Sequence, residues 1–277
     1  MIYSDWHIHS CYSYDATLPL DTLIAQAKTQ GLRRVGVTDH VNFNDNGFLK
    51  NLYDSAKFVK QAAKENPFLI LGAELNPFSQ AQFDYTAANN GSRDGFVPPA
   101  QDKPYDIALA LTKQELIQLG VRYTVGASHA RLDIGDKLKY DDVDNIIREW
   151  HRQQLFLACD ERVTIVGHPW WHGKGLWNED FSVIPQSMNL ELAAALKENG
   201  KYVEFNHGMI CENNKTEKFR HQYAEFLRTL FEFGIPVTYG TDRHHEYPDE
   251  RNDPVKYLYE AGFRDGDFSE VAEKDLW

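Results

Sequence analysis

Short stretches rich in β-branched and other apolar residues recur along the chain at Ile2–His7, Arg33–Thr38, Phe68–Leu75, Arg122–Ala127, Arg162–Val166, Lys201–Phe205 and Ile235–Tyr239, and each reads as a strand. Between them lie longer segments with helical spacing. In Pro19–Gln30, Leu20, Leu23, Ile24 and Ala27 share one face, with Thr17 or Asp21 near the start and Gly31 as a C-cap. Asp141–Ala158, Gln186–Glu198 and Lys218–Glu232 follow the same pattern. Strand and helix alternating about seven times predicts a parallel sheet with crossover helices. At this length a distorted seven-stranded (β/α)7 barrel fits better than an open, doubly wound sheet, and residues 1–277 read as one domain.

Two segments break the rhythm. Asn76–Tyr105 carries Asn89-Asn90-Gly91-Ser92, Gly95 and Pro98-Pro99 and is too long for a simple connector, so it reads as an insertion loop. Pro169–Pro185 holds Trp170, Trp171 and Trp177. The acidic tail, residues 264–277, reads as surface.

Composition narrows the functional classes. Lys and Arg total 29 against 41 Asp and Glu, a net charge of −12, which disfavours nucleic-acid and membrane-surface binding unless a metal or a local cluster reverses it. Cys11, Cys159 and Cys211 form no C-x-x-C pair, so neither a disulfide framework nor a thiolate zinc site is expected and a reducing cytoplasm fits. No apolar run approaches the roughly 18 residues of a membrane helix and no signal-like segment opens the chain. Nothing in the pattern fixes an oligomeric state.

The informative feature is where the 11 histidines fall. His7, His9, His129 and His168 stand at the trailing ends of expected strands, as do Glu74 and Asp242, with His40 and His244 just beyond strand ends. In α/β barrels those ends form the functional face, where side chains distant in sequence converge. His7-Ile8-His9 on an extended segment turns both imidazoles to one side and Ile8 to the other. Asp242-Arg243-His244 repeats the spacing. A mixed imidazole and carboxylate cluster suits divalent transition metals such as zinc, iron or manganese. Any one of these residues alone is as well explained by a hydrogen-bonded core histidine or a capped strand end. The shared position of all of them is not.

The run Asp5-Trp6-His7-Ile8-His9-Ser10-Cys11-Tyr12-Ser13-Tyr14-Asp15 resembles the first motif of the polymerase and histidinol phosphatase (PHP) superfamily. Val37-Thr38-Asp39-His40, Gly72-Ala73-Glu74, Gly126-Ala127-Ser128-His129, Gly167-His168-Pro169 and Gly240-Thr241-Asp242-Arg243-His244 resemble its later motifs in order, so the resemblance spans residues 2 to about 245. It implies a distorted seven-stranded barrel with up to three metals. One would be held by His7, His9, Glu74 and Asp242, a second by Glu74 as a bridge with His129 and His168, and a third by Asp15, His40 and His244. A shared carboxylate keeps two ions at the roughly 3.5–4 Å used by two-metal hydrolases, where a bridging hydroxide is nucleophilic near neutral pH. The third ion would bind phosphoryl oxygens. Asp39 is a candidate general acid or a partner of the ligands, and equally a strand-end cap.

The likeness to histidinol phosphatases is incomplete. Their glutamate-x-asparagine strand is matched by Glu204-Phe205-Asn206, but the loop beyond it has His207 and no arginine. Arg131 and Arg243 are the candidate phosphate contacts, with His207 and Trp170 as further substrate contacts. The tryptophans either stack on a planar substrate group or cover the barrel rim, whereas His172 and His245 read as surface or supporting residues. Three functional readings follow: a phosphoesterase acting on a small phosphomonoester such as histidinol phosphate, a metal-dependent amide or ester hydrolase, and a catalytically silent metal-binding module. A small-molecule phosphate ester is the expected partner, with Glu74, Asp242 and Asp39 as the catalytic candidates. All nine candidate ligands are present, which favours an active enzyme, and the absence of a lysine at an expected ligand position disfavours the amide hydrolase.

Overall fold

The structure, a computed structural model, describes residues 2–42, 46–79, 107–129, 143–172, 175–211, 215–245 and 255–277. The main strands are β1 (Ser4–Ile8), β2 (Arg34–Val37), β4 (Leu69–Leu75), β7 (Tyr123–Gly126), β8 (Ile165–Val166), β9 (Tyr202–Asn206) and β10 (Val237–Gly240). They lie parallel in the order β1-β2-β4-β7-β8-β9-β10. A two-residue strand β3 (His40–Val41) continues β2 beyond a break at Thr38 and Asp39, and pairs with β4 through His40 and Glu74. Instead of a ladder, loop hydrogen bonds join the first strand to the last: Asp242 N–H to the His7 carbonyl at 2.7 Å and His9 N–H to the Arg243 carbonyl at 3.0 Å. The Asp5 carboxylate reinforces this seam by accepting from the Thr241 amide at 3.0 Å and hydroxyl at 2.6 Å. The result is a nearly closed seven-stranded α/β barrel.

The α-helices among the described residues are α1 (Leu20–Thr29), α2 (Asn46–Ala63), α3 (Lys113–Leu119), α4 (Val143–Cys159), α5 (Gln186–Glu198), α6 (His207–Cys211), α7 (Glu217–Glu232) and α8 (Val255–Glu260). The expected apolar face of α1 is buried. Neither Thr17 nor Asp21 caps it, because Pro19 holds the N-cap position without a side-chain bond, while Gly31 follows the helix at φ 65°. Among the described residues no helix is long and apolar enough to cross a membrane, and none of the three cysteines forms a disulfide.

Strand alternation divides the core in two. Val35, Val37, Leu71, Ala73, Val203, Phe205, Val237 and Tyr239 face the helices, whereas Trp6, Ile70, Tyr123, Val125, Ile165 and Tyr202 fill the barrel. Tyr123 lies across the barrel, its hydroxyl donating to the Trp6 carbonyl at 2.7 Å. A Cβ at Gly36 would sit 1.6 Å from that hydroxyl, so glycine is what lets the ring cross. Residues 264–277, expected at the surface, are exposed or half-buried apart from Val271 and run over the barrel floor. Val271 joins the interior cluster, Ser269 N–H reaches the Val237 carbonyl at 2.7 Å and Trp277 N–H the Arg122 carbonyl at 2.7 Å. Apolar side chains in the tail explain this, since an open barrel bottom leaves Tyr202 and Ile70 to be covered. Of the expected insertion, Phe78–Ser79 pairs antiparallel with Ile107–Ala108 (β5 and β6), and residues 80–106 lie outside the described residues.

Candidate metal centre

The top of the barrel gathers side chains from six strands and their loops around Glu74, which is fully buried at the end of β4. Its Oε2 lies 3.3 Å from His7 Nε2, 3.3 Å from His9 Nε2 and 2.8 Å from His40 Nδ1. The other oxygen, Oε1, lies 3.3 Å from His129 Nε2 and 3.2 Å from His168 Nε2. Asp242 Oδ1 completes the first set at 3.4 Å from His7 Nε2 and 3.1 Å from His9 Nε2. Beside them Asp15 Oδ2 stands 3.4 Å from His40 Nε2 and 3.6 Å from His244 Nε2, and the two imidazole nitrogens are 3.4 Å apart. Ligand atoms around an ion with bonds of about 2.1 Å stand roughly 3.0–3.4 Å apart in octahedral or tetrahedral geometry, which is the spacing of these pairs apart from His40–Glu74 at 2.8 Å and Asp15–His244 at 3.6 Å.

Donor atoms clustered within 4.8 Å of one another form the sets His7, His9, Glu74 and Asp242; His40, Glu74 and His129; and His9, His40 and His244. The first coincides with the expected group. The others differ because His40 uses both ring nitrogens, Nδ1 toward Glu74 and Nε2 toward Asp15 and His244. His9 stacks on His40 and His244 at 4.4 and 4.1 Å, but its Nε2 is aimed at Glu74 and Asp242. By these distances Asp15 is the third partner of His40 and His244.

The donor set fits divalent cations. His7 Nε2, His40 Nδ1 and Glu74 Oε2 are buried and make no directional hydrogen bond, so these atoms converge on shared points. Burial opposes ionisation of Glu74, yet His40, His7 and His129 hold its carboxyl well below the usual range. Asp242 is held low in the same way, burial being outweighed by His7 and His9. Burial also opposes charging of His40, but Glu74 and Asp15 raise it to about 10. His129 is driven down to about 3 by burial with His168 and His40, against the pull of Glu74. Burial and His9 bring His244 to about 4. The buried carboxylates demand positive charge, which protons on His7, His9, His40 and His168, all raised above the usual imidazole value, or a bound cation can supply.

Outer contacts fix which nitrogen faces inward. His7 Nδ1 bonds Glu204 Oε1 at 2.8 Å, His129 Nδ1 meets Asn76 Oδ1 at 3.3 Å and His244 Nδ1 meets the Asp242 carbonyl at 2.9 Å. Two candidate ligands, His168 at φ 22° and Asp242 at φ 53°, occupy the left-handed region, a strain that surrounding contacts must hold. A Cβ on Gly240 would lie 1.9 Å from Glu204 Oε1 and 2.6 Å from His7 Cβ, so a glycine there makes room for the pair.

Several expected contacts lie elsewhere. Asp39 is 1% exposed and accepts from the Ser10 amide at 2.7 Å and hydroxyl at 2.8 Å, anchoring the loop after β1 instead of facing a substrate. Burial raises its carboxyl above the usual value. His207 bonds the Tyr239 hydroxyl at 3.1 Å, on the helix-facing side of β9 and β10, away from Glu74. Trp170 is 1% exposed and packs edge-on against Trp177. Its φ of 65° breaks the alternation, so its neighbour Trp171 stands beside His129 and His168 at 5.5 and 5.6 Å. His172 is buried between Trp150 and Trp177. Arg243 is partly exposed, with a buried Nε that has no hydrogen-bond partner. Arg131 lies outside the described residues. Glu204, Asn206 and Asn76 received no site role from sequence, although Glu204 and Asn206 sit at a strand end like the ligands, which was the available signal.

The PHP domain family matches residues 5–208, well over half of the chain. The chain belongs to the PHP family. Among solved structures, the histidinol phosphate phosphatase of Lactococcus lactis subsp. lactis, complexed with zinc, L-histidinol and phosphate, is similar at 17% identity and a TM-score of 0.72, over 99% of this chain and 98% of that one. A protein of Listeria monocytogenes assigned as a histidinol phosphatase is similar at 12% identity and a TM-score of 0.60, over 87% of this chain and 95% of that one. These likenesses establish a shared PHP barrel. No curated protein matches the chain.

Proposed function

We propose that this PHP protein is a metal-dependent phosphoesterase that hydrolyses a small phosphomonoester, with histidinol phosphate the first candidate. The observation that carries the reading is the division of Glu74, one oxygen toward His7 and His9 and the other toward His129 and His168. In this reading His7, His9, Glu74 and Asp242 hold one divalent ion, Glu74, His129 and His168 a second, and Asp15, His40 and His244 a third. Ions bound there would supply Lewis acidity toward the phosphoryl group and acidify a water to a pKa of about 7. Asp242, at 20% side-chain exposure against 0% for Glu74, would take the proton of the attacking water in this reading. Arg243, between two ligands, offers its guanidinium to phosphoryl oxygens, and Arg131 is proposed for the same role. Trp171 borders the leaving group beside His129.

The histidinol and phosphate bound to the Lactococcus protein support this substrate class. The missing arginine after Asn206 leaves the leaving group open to other small phosphate esters. The test is elemental analysis of purified protein together with phosphate release from a phosphomonoester panel, including histidinol phosphate, before and after chelation. Two or more metal equivalents with chelator-sensitive release are expected. Bound metal without phosphate release from any ester would transfer the reading to an amide or ester hydrolase or to a silent module.

A further inference from the structure

Strand β9 contributes no donor to the three groups, yet its side chains touch candidate ligands from three other parts of the barrel. Glu204, 1% exposed, meets His7 Nδ1 on Oε1 at 2.8 Å and accepts the backbone N–H of His168 on Oε2 at 2.6 Å. Asn206, also 1% exposed, donates its amide to Glu204 Oε2 and to Asp242 Oδ2, each at 3.2 Å. Its carbonyl accepts from Met209 N–H at 3.2 Å, which fixes the end of the amide that faces the carboxylates.

We propose that Glu204, held by Asn206, is a positioning residue that orders ligands of two adjacent metal groups at once. The inference rests on the metal-centre reading above. An imidazole has two nitrogens, and the hydrogen bond made by one decides which lone pair is free. With its Nδ1–H donated to Glu204, His7 presents Nε2 to Glu74 and Asp242. The second oxygen secures the amide of His168, whose left-handed backbone at φ 22° needs such a tether. Through Asn206 the same strand steadies Asp242, the other ligand with positive φ. The space that Gly240 leaves beside Glu204 and His7 lets the carboxylate reach its partners.

A carboxylate accepts on both oxygens, whereas a glutamine has one acceptor and one donor end. Glu204→Gln can therefore satisfy either His7 or the His168 amide, not both. The experiment strips the full chain of metal and titrates zinc against a chromogenic chelator, for wild type, Glu204→Gln, Glu204→Asp and Asn206→Ala. Zinc affinity is expected to fall about 10–100-fold in Glu204→Gln, to recover in part in Glu204→Asp, which keeps two acceptors, and to fall by less in Asn206→Ala. In zinc-loaded protein with labelled histidine, the hydrogen-bonded His7 Nδ1–H resonance is expected to be lost or strongly shifted in Glu204→Gln. Wild-type zinc affinity with an unchanged His7 resonance in that variant would overturn the proposal. Should Glu204→Gln fail to fold, wild-type zinc affinity in Asn206→Ala would overturn it instead. If wild type itself takes up no zinc, the metal-centre reading falls, and this inference with it; zinc uptake indifferent to all three changes removes only the role of β9.

Discussion

At the scale of single residues the centre depends on how Glu74 is shared. His129 reaches only one oxygen of it and takes its orientation from Asn76, so removing His129 should strip one side of the bridge and leave the other set intact. His129→Ala is expected to lower bound metal and to cut turnover by more than the roughly 100-fold typical of outer contacts. Metal analysis and phosphate release check both, and wild-type turnover would refute the assignment. Gly240 is a second sensitive point, because an added Cβ collides with Glu204 Oε1 and His7 Cβ. Gly240→Ala is expected to cost roughly 1–3 kcal/mol in denaturant unfolding and to weaken zinc binding. Unchanged stability and zinc affinity would show that the barrel top relaxes freely around it.

At the scale of elements, the junction between α4 and β8 carries a charged clamp with a defined pH signature. The Asp160 carboxylate accepts from Arg162 N–H at 2.9 Å, Nε at 2.8 Å and Nη2 at 2.5 Å. Burial pushes its pKa up, but these bonds outweigh burial and leave it below the usual value. A carboxyl depressed in the folded state binds its proton more readily when unfolded. Its stabilisation is thus present above the unfolded value of about 3.9 and is lost as pH falls through the folded pKa. Asp160→Asn is expected to cost roughly 1–2 kcal/mol at pH 7, the clamp being partly exposed to solvent. That difference should shrink in acid, and unfolding curves at pH 7 and pH 3 with the same gap would contradict the assignment. Most elements were legible for a simple reason: α1, α4, α5 and α7 each bury one stripe, which periodicity reports. The helix Asn46–Ala63 went unread although it spans 18 residues, because exposed Tyr53 and Phe58 blur its stripe of Leu52, Ala56 and Val59 and Ser55 falls within it.

At the scale of the whole molecule, the barrel separates functions by its two ends. Donors crowd the C-terminal mouth, while Tyr123, Trp6 and the returning tail fill the middle and floor. Deleting residues 264–277 is expected to lower unfolding stability by roughly 3 kcal/mol or more, given the burial of Val271 and the partial burial of Phe268, Leu276 and Trp277. Zinc stoichiometry of the folded fraction should be unchanged. An unaltered denaturation midpoint would show that the tail contributes no floor. The net charge of −12 agrees with an anionic substrate only because bound cations would make the mouth locally positive.

The sequence by itself determined the seven-strand barrel and the positions from which nine imidazole and carboxylate side chains converge, because alternation and strand ends are local properties of the chain. It also set His7 and His9 on one side of β1, with Ile8 buried among the helices. Tertiary structure alone decided which of Trp170 and Trp171 meets the imidazoles, that His207 bonds Tyr239, that Asp39 holds Ser10, and that Glu204 ties His7 to His168. Each of these turns on a backbone angle outside the regular regions or on a hydrogen-bond partner far along the chain. Periodicity carries no record of either.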